Sequence, residues 1–428
     1  MEKIVIYGGR PLNGNIAISG MKNAALPILM GCVLVQDECI IENLPEIHDV
    51  TVSLEILSAM GAKVRMLGKN SVAIDATNVV CGSSPIDLVN TIRASYYLMG
   101  AELGRFGHTR VGYPGGCDFG VRPIDQHLKG FRALGANADI VGGYVEGESD
   151  GGLKGSSIFF DLVSVGATIN VMLAACMAKG STEIENAAKE PHIVDLANFL
   201  NACGADIKGA GTDTIRINGV SELHGCSYTI IPDMIEAGTY MIAGVATGGD
   251  LTITDVIPKH LDCVSAKLRE MGVTVEEGDD WVRVCHKGEL RPTNVKTLPY
   301  PGYPTDMQPQ ISILMCLANG TSTLKESVFD NRFRYIDELH RIGAKVKVEG
   351  KTAVFEGGGL SAANVRAVDL RAGAAMVIAG LAVGGRTEID NIRLVERGYD
   401  HLIEKLQAVG ATISKVEIKE ADAMLQAE

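Results

Sequence analysis

The chain has 428 residues, of which 46% are hydrophobic and 21% charged, and a formal net charge of −13. That length and balance suit two or three soluble globular domains with ample core. The acidic surplus argues against nonspecific binding to nucleic acid or to an anionic membrane, but not against an anionic substrate held in a locally basic pocket.

The first strand-like stretch, Ile4 to Ser19, precedes everything else and is expected to pair with a sheet of the later half. After it one pattern repeats six times. A polar segment leads into an apolar helix of small residues, then a strand, then an amphipathic helix, then Gly and another strand. The apolar helices are expected at 26–35, 94–103, 167–178, 237–246, 308–318 and 374–383. They are apolar nearly all round and should be buried on most sides. The second helices, such as 193–204 and 399–410, should face solvent on one side. Gly61, Gly135, Gly204, Gly272, Gly343 and Gly410 stand at the helix-to-strand junctions, about 70 residues apart, where glycine suits a helix C-cap. Six units fall into two sets of three, with the midpoint near 225–232.

The polar segments share one place, just before each apolar helix. They hold Lys22 and Asn23 in the first unit, Arg93 in the second and Ser164, Val165 and Gly166 in the third. In the fourth to sixth units they hold Asp233, Asp306, and Asp369 with Arg371. A helix N-terminus offers unpaired N–H groups and the positive end of the dipole, so it attracts anions. Lys22, Arg93 and Arg371 are unfavourable there for helix stability alone, which points to a ligand. Ser164, Asp233 and Asp369 are good N-caps in their own right, and Asp306 also reads as a cap.

In the second unit, residues 113–123 form a loop with three glycines and two prolines, with Cys117 at its crest. Such a thiol is either a small hydrophobe or a reactive group carried to a substrate. Arg122, Arg332 and Arg397 occupy comparable strand-to-helix turns, and Arg suits bidentate binding of phosphate or carboxylate. His127 lies early in the next helix, beside Asp125. The ten cysteines show no C-x-x-C pair and no tight Cys/His cluster along the sequence, so neither disulfides nor a metal site is expected. Walker A, G-x-S-x-G and strand-linked G-x-G-x-x-G patterns are missing, which argues against a nucleotide hydrolase, a serine hydrolase and a dinucleotide enzyme. No cofactor is expected. The N-terminal residues lack a signal-peptide core, and the longest apolar run, 374–385, is short of the ~20 residues that span a bilayer. A cytoplasmic protein is expected.

These residues together resemble the enolpyruvyl transferase family, in its branch acting on UDP-N-acetylglucosamine. The resemblance rests on residues 19–25, the Cys117 loop with 122–125, 184–188, 303–308, 331–333, 369–371 and 397–399, and so runs the length of the chain. It implies an α/β fold of two similar domains, each of three βαβαββ units around buried helices, an inside-out barrel with the active site in the interdomain cleft. The implied domains are 22–229, and 1–21 with 230–428. The implied reaction passes the enolpyruvyl group of phosphoenolpyruvate to the 3′-hydroxyl of UDP-N-acetylglucosamine and releases phosphate, the first committed step of peptidoglycan synthesis.

By match to the family, Cys117 protonates the vinyl carbon, forms a covalent adduct with phosphoenolpyruvate and is the target of fosfomycin. Asp306 takes the hydroxyl proton. Lys22, Asn23, Arg122 and Arg397 hold phosphoenolpyruvate. Arg93, Arg122, Pro123, Ile124, Asp125, Gln126, Ser164, Val165, Gly166, Asp306 and Val328 contact the UDP-sugar. Arg332, Asp369 and Arg371 support them. Protein partners are not implied. Two departures stand out: Asp118-Phe119 after the cysteine, where many relatives carry Ala-Ile, and Leu162, where some carry Lys. The first disfavours the thiolate; the second removes one phosphate contact. A related transferase acting on shikimate 3-phosphate is the alternative enzyme, but that branch uses no loop cysteine. A catalytically silent nucleotide-sugar scaffold is the other alternative, and the joint presence of Lys22, Cys117, Asp306 and Arg397 argues against it.

Overall fold

The computed structural model describes residues 2–113 and 123–417, which divide into two compact units. One joins Met1–Ser19 to Pro232–Glu428; the other is Gly20–Ile231.

Each unit is built the same way. In Gly20–Ile231 the interior helices are Lys22–Gly31, Leu98–Phe106 and Val165–Ala175. In the other unit they are Met234–Ala246, Gln308–Leu317 and Leu370–Ala382, which pack on one another in pairs. These are the six apolar runs of the sequence, and nearly every residue on them is buried. Gly100 lets two of them touch: a Cβ there would lie 2.2 Å from the Asn170 carbonyl oxygen. The Asn170 Oδ1 accepts from the Gly100 N–H at 2.9 Å, so the same contact satisfies a polar group in the core.

Six small sheets cover the helices among the described residues. Five share one plan: a strand runs parallel to a second, which pairs antiparallel with a third, which pairs antiparallel with a fourth. The sixth, His108–Gly112 with Asn137–Val141 and Tyr144–Glu148, has three strands. Three strands are supplied from far along the chain. Glu2–Gly8 is the third strand of the last sheet, between Gly385–Asp390 and Thr412–Glu417. Asn13–Ala17 runs parallel to Asp250–Thr254. Ser227–Thr229 runs parallel to Glu38–Glu42 and completes the first sheet. The unit of Met1–Ser19 and Pro232–Glu428 is thus stitched across more than two hundred residues.

The junction glycines do what their position requires. Gly61, Gly135, Gly204, Gly272, Gly343 and Gly410 have φ of 106°, 91°, 99°, 91°, 86° and 101°. L side chains rarely adopt that region, so the turn from helix to strand selects glycine. The outer helices bury one face only, as in Asp262–Glu270, where Val264, Ser265 and Leu268 point inward. Among the described residues no helix is long and apolar enough to cross a membrane.

Candidate active site

The sequence-selected residues form a group in each unit. In Gly20–Ile231, Lys22 opens its helix with no acidic residue in the first turn. Its ammonium pairs with Asp49 Oδ2 at 2.8 Å, and both side chains are nearly buried. Asp49 sits in the first turn of the helix His48–Ala59, a favourable place for an anion. The partnership offsets the unfavourable cation at the Lys22 helix start. Asn23 follows, half-buried.

Arg93 begins the short 3₁₀ segment Arg93–Tyr97, and its guanidinium lies 5.3 Å from the Tyr96 ring centre. Tyr96 meets His127 edge-on, with ring centres 5.3 Å apart. Gly166 closes the group, because a Cβ on it would lie 2.4 Å from Tyr96 Oη and 2.8 Å from His127 Nε2. Burial, with Arg93 nearby, pushes His127 down to about 3, so it is a neutral imidazole at neutral pH. Both of its ring nitrogens lack a hydrogen-bond partner among the described residues.

Ser164 caps the helix Val165–Ala175, its Oγ accepting from Ala167 N–H at 3.3 Å. Gln126 ties this segment to the next helix start. Its side chain donates to Asp125 Oδ2 at 2.8 Å and to Asp161 Oδ2 at 3.3 Å, and accepts from Asp161 N–H at 3.0 Å. The helix starts carrying Arg93, Asp125, Gln126, Ser164 and Gly166 are therefore brought together. Ile124 is buried just before the helix Asp125–Ala133, and Pro123 is exposed. Leu162 is 69% exposed. Cys117, Asp118, Phe119 and Arg122 lie outside the described residues.

In the other unit, Asp306 lies in the 3₁₀ turn Thr305–Met307 ahead of a buried helix. Arg332 Nη2 donates to its Oδ1 at 3.2 Å, and Arg371 reaches its Oδ2 through Nη2 at 3.3 Å and Nε at 3.4 Å. Both arginines are 2% exposed. Asp369 caps the last interior helix, its Oδ1 accepting from the N–H groups of Arg371 and Ala372 at 2.8 and 2.9 Å. Burial opposes the Arg371 charge, yet Tyr399, Asp306 and Asp233 together hold its pKa above the ordinary value.

Beneath them, Gln310 Nε2 donates to the Asp306 carbonyl at 2.9 Å and to Thr239 and Tyr399 oxygens, each at 3.2 Å. Val328, 40% exposed, is held by Glu326, which also accepts from Thr305 Oγ1 at 3.0 Å. One carboxylate therefore fixes both the Val328 turn and the Asp306 turn. Arg397 is half-buried, two residues before Tyr399. Sequence reasoning missed Asp49, Tyr96 and Glu326 as supports; Asp49, one place into a helix after a strand, carried the one readable signal. Among the described residues no His/Cys/Asp/Glu group has the geometry to hold a metal.

In one unit a carboxylate between two buried guanidinium groups suits proton transfer with a hydroxyl; in the other the cations at helix starts suit binding of phosphates. The comparisons agree. The family model for EPSP synthase (3-phosphoshikimate 1-carboxyvinyltransferase) matches residues 6–406. UDP-N-acetylglucosamine 1-carboxyvinyltransferase 3 of Caldanaerobacter subterraneus is 54% identical, over 97% of this chain and all of its own. The UDP-N-acetylglucosamine 1-carboxyvinyltransferase of Clostridium botulinum is 53% identical, again over 97% of this chain and all of its own. Among solved structures, the enolpyruvyl transferase NikO of Streptomyces tendae superposes with a TM-score of 0.88 at 28% identity, over 98% of this chain and 99% of its own. EPSP synthase of Acinetobacter baumannii shares the fold, with a TM-score of 0.75 at 20% identity over 97% of this chain and all of its own. With a family match along nearly its whole length and curated relatives more than half identical, the chain belongs to the enolpyruvyl transferases, in the branch of the UDP-N-acetylglucosamine 1-carboxyvinyltransferases.

Proposed function

We propose that the chain transfers the enolpyruvyl group of phosphoenolpyruvate to the 3′-hydroxyl of UDP-N-acetylglucosamine, in the cytoplasm, as the first committed step of peptidoglycan synthesis. The observation that carries this reading is identity above one half to curated transferases of that name over essentially the full chain. The Asp306 ion pairs with Arg332 and Arg371 support it from the structure.

The chemistry is addition followed by elimination. The sugar oxygen bonds to C2 of phosphoenolpyruvate while C3 gains a proton. C3 then loses a proton, the C–O bond to phosphate breaks, and the vinyl ether remains. Asp306 takes the hydroxyl proton, its carboxylate held in place by the two guanidinium groups. Cys117 supplies the proton to C3 and forms the covalent adduct. Lys22, steadied by Asp49, acts with Asn23, Arg122 and Arg397 on phosphoenolpyruvate and the departing phosphate. Arg93, Arg122, Pro123, Ile124, Asp125, Gln126, Ser164, Val165, Gly166 and Val328 hold the UDP-sugar, with the Tyr96–His127–Gly166 contact shaping that wall. Arg332, Asp369 and Arg371 neutralise charge that grows in the transition state.

The test is phosphate release from phosphoenolpyruvate with UDP-N-acetylglucosamine or shikimate 3-phosphate offered separately, on the native chain and Cys117→Ser. Release with the UDP-sugar alone, impaired in the variant, is expected. Release with shikimate 3-phosphate alone would move the chain to the other branch, and release with neither would leave a nucleotide-sugar scaffold.

A further inference from the structure

Four cysteines scattered along the sequence meet inside the Gly20–Ile231 unit, a cluster that their spacing gave no sign of. Cys203 ends the helix Pro191–Ala202, and Cys226 lies just ahead of the strand Ser227–Thr229. Cys39 is on the neighbouring strand Glu38–Glu42, and Cys32 follows the helix Lys22–Gly31. The Cys203 and Cys226 Sγ atoms are 3.3 Å apart. The Cys39 thiol is in hydrogen-bonding contact with those of Cys203, Cys226 and Cys32. Ile40 N–H donates to the Cys226 carbonyl at 2.8 Å, so the backbone fixes where Cys226 sits. All four are free thiols; Cys226 is partly exposed and the other three are buried. The cluster does not have metal-holding geometry, which leaves chemistry between sulfurs.

We propose that Cys203 and Cys226 are a reversible modification site, at which a small hydroperoxide installs a disulfide in the folded protein. Cys226, the partly exposed thiol, attacks the peroxide oxygen. With hydrogen peroxide this breaks the O–O bond, gives a sulfenic acid and releases one water. The Cys203 sulfur then attacks the sulfenic sulfur; the hydroxyl leaves with the Cys203 proton as a second water, and the S–S bond forms. The two thiols lose two electrons, and the peroxide takes them. The sulfurs need to close by about 1.3 Å to reach the ~2.05 Å of a disulfide.

Cys203 lowers the Cys226 thiol value, but contact with Cys39 and burial outweigh it and push Cys226 up to about 11. The proton therefore leaves Cys226 only as the sulfur attacks, and goes to the departing hydroxyl as the first water. What favours this pair is geometry. The two segments to be joined are already tied. Tyr228 Oη donates to Asp195 Oδ1 at 2.6 Å, and Ile231 N–H to Asp195 Oδ2 at 3.3 Å. Asp195 is on the helix that Cys203 ends. The new bond therefore locks a register that the reduced protein has, and closes a loop running from 203 to 226.

The full chain is treated with hydrogen peroxide, quenched in acid, alkylated with N-ethylmaleimide and digested without reduction for mass mapping. The expected product is a peptide pair joining Cys203 to Cys226, lighter by two hydrogens and lost on treatment with dithiothreitol. The thermal midpoint should rise by about 5 °C on oxidation and return on reduction. Cys226→Ala should lose both the cross-link and the rise while keeping the native circular dichroism spectrum. Recovery of Cys203 and Cys226 as maleimide adducts, while another thiol of the chain has oxidised, would overturn the proposal. So would a dominant cross-link from Cys39 to either residue.

Discussion

The Asp306 carboxylate is held between two arginines that are themselves buried, with Arg332 on Oδ1 and Arg371 on Oδ2. Asp306 itself is 29% exposed through its side chain, so the pair presents a carboxylate outward from a cationic base. Asp306→Asn keeps the shape and most hydrogen bonds but removes the proton acceptor. Phosphate release should fall by about 10²–10⁴ in kcat, with the KM for UDP-N-acetylglucosamine changed little. Steady-state kinetics at saturating phosphoenolpyruvate measures it. A variant within a factor of three of wild type would remove Asp306 from the proton transfer.

Asp49 makes a parallel case in the other unit, at one remove from the substrate. Its carboxylate fixes the Lys22 ammonium at the start of a helix. Asp49→Asn leaves Lys22 charged but loosens its placement and strengthens the conflict with the helix dipole. The KM for phosphoenolpyruvate should rise about tenfold, while the KM for the UDP-sugar stays put. Separate titrations of the two substrates read the difference. An equal rise in both, or a loss of folded protein by circular dichroism, would mean that the ion pair is structural only.

Gly166 was legible as a helix start near polar residues, and the structure gives the reason for glycine there. An alanine Cβ would press on Tyr96 Oη and His127 Nε2 at 2.4 and 2.8 Å. Tyr96 would have to turn, and Arg93, which lies over its ring, would turn with it. Gly166→Ala should weaken UDP-N-acetylglucosamine binding by about 10–100-fold, in line with ~1–3 kcal/mol for overpacking. Isothermal titration of the UDP-sugar checks this, and unchanged affinity would show that the wall is not part of the sugar-nucleotide site.

Much of the architecture was readable because it rests on local rules repeated six times. Helices apolar on every side had to be interior, and glycine had to occupy the left-handed turn after each outer helix. The polar helix starts were readable for the same reason. Supports such as Glu326, which joins the Thr305 and Val328 turns, were not readable, since a buried carboxylate between two loops leaves no periodic mark. Nor was the cysteine cluster. Cys32, Cys39, Cys203 and Cys226 meet only because Ser227–Thr229 returns to pair with Glu38–Glu42, and that pairing is tertiary. The strand Glu2–Gly8 shows the intermediate case: its apolar run read as a strand, but its place inside the last sheet depends on closing the chain on itself.

Two buried carboxylates give the fold a definite pH signature. Glu236 accepts from Ser19 N–H at 2.9 Å and from Lys405 at 2.6 Å, and burial pushes it up to about 7 from an ordinary 4.5, with Lys405 opposing the rise. Asp195 is pushed up to about 6 from 3.8, again by burial, with Tyr228 and Ile231 opposing. A carboxyl whose folded value is raised keeps its proton in the folded state while the unfolded chain has released it. Stability therefore falls as pH rises between the two values, from 4.5 to about 7 for Glu236 and from 3.8 to about 6 for Asp195. Below each window the contribution is flat; above it the penalty is fully present. Glu236→Gln removes the titration, so the variant should gain on the wild type through the first window, by about 1.4 kcal/mol per pH unit at most. Asp195→Asn should do the same through the second, lower window. Urea unfolding of the three proteins at intervals from pH 4 to pH 8 gives the differences directly. If the Glu236→Gln curve ran parallel to wild type across that range, folded Glu236 would titrate where the unfolded residue does. The Lys405 ion pair would then cancel the effect of burial, and Lys405→Met would be the change that exposes it.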